Sequence, residues 1–200
     1  MIKNLILSIH SGLCIGLGGT VYLSCDNKIL GSFLFGLGLF TILNFGFNLF
    51  TGKVGYFVNN KPSYWGFLGI VWLGNFIGTF LFARMIALSR YGAALQAKAS
   101  ALCLVKNGDS IVSLLVLGIF CGMLMFIAAD GYKNIENQVG KLVAVFLPVM
   151  VFILSGFEHC IADMFYFSLA GDFSTLMLKS LVVITVGISI GGGLIPLTKR

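Results

Sequence analysis

Long apolar segments, separated by short polar stretches, dominate the chain. Each segment is about as long as the roughly 20 residues that an α-helix needs to cross the hydrocarbon core of a bilayer. The pattern therefore predicts one all-α integral membrane domain over residues 1–200, with six spans joined by short loops. The predicted spans cover approximately residues 5–23, 29–50, 65–88, 111–129, 141–167 and 175–197.

The second and fifth segments each contain a polar interruption inside an otherwise apolar run. Aligning Gly46 with Gly156 brings the two interruptions into register and also places Tyr56 on Tyr166. Irregular backbone at membrane depth is tolerated only where it is buried in protein or faces a water-filled cavity. The pattern thus predicts two broken helices at corresponding positions of the chain.

The third and sixth segments also correspond, through residues 74–78 and 187–191, which begin and end with glycine. The common order of these features predicts two halves of three spans, at about 1–100 and 105–200. Because three is odd, the halves face opposite ways across the membrane. Inverted repeats with paired broken helices place a substrate site near the bilayer midplane, which is an architecture typical of transporters.

Composition supports a membrane protein and argues against other classes. Apolar residues make up 58% of the chain and charged residues 10%, and the mean hydropathy is +1.00. The net charge of +6 arises from cations spread singly, without the basic runs that bind nucleic acids. Five cysteines show no C-x-x-C spacing, so we expect neither a disulfide framework nor a metal or other cofactor.

The distribution of lysine and arginine predicts the orientation. An even number of spans puts both termini on one side, and the positive-inside rule favours that side as the cytoplasmic face of the cell inner membrane. The cations predicted on this side are Lys3, Lys53, Lys61, Lys133, Lys141, Lys199 and Arg200, against Lys28, Arg84, Arg90, Lys98 and Lys106 on the other, with Lys179 at the boundary.

Glu158 and His159 are the most informative polar residues, because ionisable side chains at membrane depth normally face a protein interior or a watery path. Adjacent residues of a helix point about 100° apart, so one can line a pore while the other anchors the break. A histidine suits the pore because it exchanges a proton near neutrality. The alternative is a histidine that only makes structural hydrogen bonds within the bundle.

Thr51 and Lys106 are further candidates. Thr51 lies at the break of the second segment, where its hydroxyl can donate to an anion or cap the next half-helix. Lys106 precedes the fourth segment, where a cation raises the local anion concentration or extends to the lipid headgroups.

Several of these sequences are similar to a known family. Residues 156–164 closely resemble the G-F-E-H-[SC]-[IV]-A-N-M signature of the formate/nitrite transporter family. Residues 49–52 resemble its L-F-T-G sequence, residues 74–78 its G-N-x-x-G, and residues 118–121 part of its fourth helix. The motifs run in the family's order from residue 16 to about 193.

The resemblance implies an aquaporin-like homopentamer with a pore through each subunit. It implies transport of formate, nitrite or hydrosulfide, or of their conjugate acids. His159 is then the central pore residue, Thr51 orients it, Lys106 attracts anions, and Glu158 supports the break. The implied constrictions are Phe35, Leu39, Leu49, Phe50 and Phe152, and the implied supports of the broken helices are Asn48, Asn75 and Asp163.

Three positions depart from the family pattern: Asp163 and Ile188 replace asparagines, and Gly122 stands where the fourth helix normally has one. An apolar constriction strongly disfavours a bare anion, so neutral acid is the expected permeant, and its net movement equals that of the anion plus a proton. The sequence leaves the proton donor open between bulk water and His159.

Two other functions remain: a neutral-solute channel, although paired Asn-Pro-Ala motifs are missing, and a membrane enzyme, although no catalytic motif is found.

Overall fold

The computed structural model describes residues 1–198, so Lys199 and Arg200 of the predicted cytoplasmic cations lie outside the described residues. Within residues 1–198 the structure contains helices and no strands. The elements are α1 (Ile2–Ser24), α2 (Lys28–Asn44), α3 (Phe50–Lys53), a 3₁₀ helix (Val54–Asn59), α4 (Tyr64–Ala87), α5 (Gly92–Gly108), α6 (Ile111–Asn134), α7 (Gln138–Leu154), α8 (Cys160–Ala170) and α9 (Thr175–Thr198).

Four of these helices are long and apolar enough to cross a membrane: α1, α4, α6 and α9. They correspond to the first, third, fourth and sixth predicted spans. The second and fifth predicted spans form the shorter apolar helices α2, α7 and α8. The chain is therefore a multi-pass membrane protein.

The second span is interrupted near its end. Within the apolar segment 29–50, helix α2 stops at Asn44 and Gly46 adopts a φ of +67°. The fifth span breaks in the same way: α7 ends at Leu154, and Gly156 has a φ of +70°. These are left-handed conformations that a residue with a Cβ adopts only at a cost. The prediction of broken second and fifth helices is confirmed.

Helix α5 was not predicted, since the stretch from Arg90 to Asp109 was interpreted only as a polar separator. Its sequence is too polar for a span, but Leu95, Ala99 and Cys103 recur every four residues and are buried. That spacing places them on one face of a helix. Helix α5 therefore lies along the bundle and carries Lys106 near its end.

The helices pack in two similar sets. Helix α1 packs against α4, and α6 packs against α9. Helix α8 lies against α4, and the 3₁₀ helix lies against α9, so each broken segment contacts the third span of the other half. The two halves are thus interleaved, which brings the two breaks together in the interior.

Glycines allow the two long-helix pairs to cross closely. A Cβ added at Gly78 of α4 would collide with the Ile9 carbonyl oxygen of α1, and one added at Gly191 of α9 with the Ile119 carbonyl oxygen of α6. Small residues at such crossings let backbones approach in membrane proteins. Gly122, one of the departures from the family pattern, makes a similar contact with Ile188.

Candidate solute pathway

Equivalent hydrogen bonds anchor the two breaks. In each, one backbone N–H bonds back to its own helix and the next bonds to a carbonyl of the neighbouring long helix. The N–O pairs are Phe47 to Ile42 (2.9 Å) and Asn48 to Leu7 (3.3 Å) in the first break, and Phe157 to Phe152 (2.9 Å) and Glu158 to Leu117 (3.4 Å) in the second.

His159 is the N-cap of α8. Its Nδ1 accepts a hydrogen bond from the backbone N–H of Ala162 at 3.1 Å, and its Nε2 lies 3.0 Å from the Oγ1 of Thr51. Since an accepting Nδ1 must carry a lone pair, the ring proton is on Nε2 and points at Thr51. The imidazole is therefore neutral, and the Thr51 hydroxyl keeps its own proton free to donate.

Aromatic side chains enclose this histidine. The Phe152 ring stacks on the His159 ring with centroids 5.4 Å apart, and Phe35 meets Phe152 edge-on at 5.9 Å. All three side chains are buried. The hydrogen-bonded pair thus lies in an apolar enclosure.

Two cavities approach the His159–Thr51 pair. The larger, about 540 Å³, is lined by Leu39, Leu49 and Gly52 together with three lysines, and we name it the lysine vestibule. The smaller, about 210 Å³, is lined by Phe152 and His159 and by an ionic cluster, and we name it the carboxylate vestibule. The lysines are Lys53, Lys133 and Lys141, and the ionic cluster is Lys106, Glu158 and Asp163.

The five residues predicted to form constrictions do not all lie in the same part of the structure. Leu39 and Leu49 line the lysine vestibule, Phe152 lines the carboxylate vestibule, and Phe35 is buried beside Phe152. Phe50 lines neither vestibule; it faces a separate apolar groove. The reason is the helical rotation of about 100° between neighbours: with Thr51 directed at His159, Phe50 points elsewhere.

Lys106 does not stand alone as a cation. Its Nζ lies 2.9 Å from Asp163 Oδ1 and also donates to Glu158 Oε2. Glu158 was expected to support the break, and the partner that the structure gives its carboxylate is this ammonium group. Lys106 and Glu158 thus clamp the second break to the end of α5, and the positive field of Lys106 is compensated.

Asn75 holds the first break. Its Nδ2 donates to the carbonyl oxygens of Ser8 (2.8 Å) and Asn48 (2.9 Å), and its Oδ1 accepts from the Phe50 N–H at 2.8 Å. The Nδ2 of Asn48 donates a longer hydrogen bond, of 3.5 Å, to the carbonyl oxygen of Asn4. The corresponding position of the second half is the apolar Ile188, so the two breaks are stabilised by different chemistry: an amide in one and an ionic cluster in the other.

The three lysines of the lysine vestibule were not predicted as site residues. The sequence identified them only through the bias of positive charge toward one side of the membrane. That bias was the available signal, but their convergence requires the ends of α3 and α6 and the start of α7 to meet.

No group of three or more His, Cys, Asp or Glu side chains suited to a metal occurs within residues 1–198.

Comparisons with known proteins agree with this geometry. The sequence model of the Formate/nitrite transporter family matches residues 1–198. The formate channel FocA of Escherichia coli strain K12 is 27% identical over 240 aligned positions, which cover 97% of this chain and 84% of FocA. The nitrite transporter NirC of the same strain is 26% identical over 181 positions, covering 82% of this chain and 66% of NirC.

Solved structures share the fold. A pentameric formate channel with formate bound superimposes with a TM-score of 0.82 at 24% identity, covering 99% of this chain and 95% of that one. An FNT family ion channel gives the same TM-score at 22% identity, with 97% and 85% covered. The fold is therefore the aquaporin-like six-span bundle of these channels. With a family match over nearly its whole length and paired breaks that enclose a histidine, the chain belongs to the formate/nitrite transporter family.

Proposed function

We propose that the protein is a channel for small monovalent anions, formate or nitrite, or for their conjugate acids. The supporting observation is the neutral His159–Thr51 pair, which lies in an apolar enclosure between two vestibules lined by ionisable side chains. Relatives named as formate channels and a nitrite transporter favour this function over a neutral-solute channel or a membrane enzyme. Hydrosulfide has the same charge and belongs among the solutes to be tested.

The apolar enclosure determines which form of the solute crosses. Burying an ion without a partner costs many kcal/mol, whereas a neutral acid of the same size is far less costly to bury. The lysine vestibule concentrates anions through its field. An anion that is protonated at the enclosure then crosses as the acid, and the net movement equals anion plus proton.

His159 acts in this scheme as a neutral hydrogen-bonding group. Both of its nitrogens are occupied, Nδ1 by the Ala162 N–H and Nε2 by Thr51. Forming an imidazolium would break the cap of α8, so the proton is supplied from a vestibule. Thr51 presents its hydroxyl proton to the solute.

We propose that both termini are cytoplasmic in the cell inner membrane and that the functional unit is a homopentamer in the lipid bilayer. Lys53, Lys133 and Lys141 share one vestibule, which is the pattern expected of a cytoplasmic face. A formate channel of the same fold is pentameric. The mass of the complex in lipid nanodiscs tests the pentamer.

Flux into liposomes tests the function. Purified protein is reconstituted, and formate, nitrite, hydrosulfide and glycerol uptake are measured at two pH values. We expect uptake of at least one anion, faster at the lower pH, with no glycerol uptake above protein-free liposomes. The His159→Asn variant keeps an N-cap acceptor but loses the ring, so it should fold and conduct less. Glycerol uptake without anion uptake would refute the proposal.

A further inference from the structure

The carboxylate vestibule contains an unbalanced set of buried charges. Lys106 contacts both Glu158 and Asp163, and the exposed fractions of the three side chains are 11%, 9% and 2%. Two carboxylates and one ammonium sum to −1. Burying an uncompensated charge is strongly unfavourable, so such a cluster binds a counter-charge.

The other groups around the cluster do not supply that charge. Lys106 is the only cation among the described residues that line this vestibule. His159 is neutral, because its Nδ1 accepts the Ala162 N–H. The remaining titratable groups facing the cluster are phenols and thiols, which carry no positive charge in either protonation state: Tyr22 from α1, Cys103 from α5, Cys121 from α6, and Cys160 and Tyr166 from α8.

One atom of the cluster shows where a ligand belongs. The Oδ2 of the buried Asp163 has no hydrogen-bond partner, while its Oδ1 is held by Lys106. A buried carboxylate oxygen without a donor is unfavourable. A proton on Oδ2 removes the excess charge and turns this atom into a donor at a vestibule wall.

We propose that Asp163 and Glu158 share one exchangeable proton, held mainly on Asp163 Oδ2, so that the vestibule is neutral when the proton is bound and carries one negative charge when it is lost. The proton comes from water in the vestibule. It either returns to water or passes to an anion, which leaves as the neutral acid while the carboxylate is regenerated. The family pattern has an asparagine at this position, where no such proton is bound.

A consequence for transport rests on the function proposed above. With the proton bound, the vestibule accepts an anion. Once the proton is lost, the net charge of −1 repels it. The site therefore couples anion access to pH on the side of the membrane that the carboxylate vestibule faces.

Infrared spectroscopy of the purified protein tests the proton without any transport. A neutral carboxyl group has a carbonyl stretch well separated from carboxylate bands, and the stretch shifts in heavy water. We expect one such buried band near pH 7 that disappears at high pH. Asp163→Asn should abolish it, because one carboxylate then faces one ammonium. Asp26→Asn, which changes an exposed aspartate, should leave it unchanged.

Glu158→Gln provides a second test should the Asp163 variant fail to fold, since removing either carboxyl leaves a balanced pair and no band. A spectrum of the wild-type protein without a neutral carboxyl band between about pH 5 and 8 overturns the proposal. So does a band that persists in both variants. Neither result bears on whether the protein conducts anions.

Flux then tests the consequence. Anion uptake is measured for Asp163→Asn and for the wild type over a range of pH. The ratio of the variant's rate to the wild-type rate should rise by roughly fivefold or more over the pH range in which the infrared band disappears, because the wild-type vestibule becomes negatively charged there. Acidification should bring the two rates together. A ratio that does not change with pH would refute the electrostatic role.

Discussion

The Nε2 of His159 lies 3.0 Å from the Oγ1 of Thr51, although 108 positions separate the two residues. His159 is the N-cap of α8, the second half of the fifth span, and Thr51 lies in α3, after the break of the second span. This hydrogen bond therefore joins the two breaks directly. Because the Ala162 N–H already occupies Nδ1 and so fixes the tautomer, Nε2 donates in this bond and the threonine hydroxyl proton stays free to donate.

Removing the Thr51 hydroxyl should weaken both folding and transport. In Thr51→Val the buried Nε2–H of His159 loses its acceptor, which costs about 1–3 kcal/mol in stability. We expect a lower thermal midpoint in detergent and a strong loss of anion uptake. Thr51→Ser retains the hydroxyl and should recover most of both.

Thr20→Val is the matched control for that variant. The Thr20 Oγ1 is buried without a hydrogen-bond partner, so its removal should not lower stability. An equal loss of stability in both variants would show that the His159–Thr51 bond is not the cause.

Asn75→Leu should open the first break. Asn75 makes three buried hydrogen bonds. An apolar replacement leaves the Phe50 N–H without its acceptor and two carbonyl oxygens without their donor. We expect a loss of about 3 kcal/mol or more, measured by denaturation in detergent. Ile188→Leu, at the corresponding position of the other half, should cost less than about 1.5 kcal/mol. Similar losses in the two variants would contradict this account of the break.

Gly191→Ala should prevent close crossing of α6 and α9. The added Cβ meets the Ile119 carbonyl oxygen, and overpacking of this kind costs about 1–3 kcal/mol or more. We expect little folded protein on size-exclusion chromatography. Gly69→Ala has open space around its Cβ and should be neutral or stabilising by up to about 1 kcal/mol, since alanine favours the helix.

Lys133→Gln should slow anion uptake from the side of the lysine vestibule at low solute concentration. The lost field lowers the local anion concentration, by roughly two- to tenfold, and salt should shrink the difference because it screens exposed charges. Lys61→Gln changes an exposed lysine that does not line the vestibule. If the two variants lose uptake equally, the vestibule field is not responsible.

The sequence determined the architecture of this protein because long apolar segments have few structural options in lipid. Backbone groups in a bilayer must bond within helices, so segment lengths predicted the spans, and the polar interruptions with Gly46 and Gly156 predicted the breaks. The same constraint made Glu158 and His159 prominent, because ionisable groups at that depth are rare.

The tertiary structure decided which side chains meet. Lys106 was predicted to attract anions, and its two carboxylate partners became visible only when α5 was placed beside α8. Phe50 and Thr51 are neighbours in sequence, yet only Thr51 reaches His159, since their directions depend on how α3 is rotated. Apolar patterning determines how many helices form and where they break, whereas charge compensation and side-chain direction depend on contacts between residues far apart in the chain.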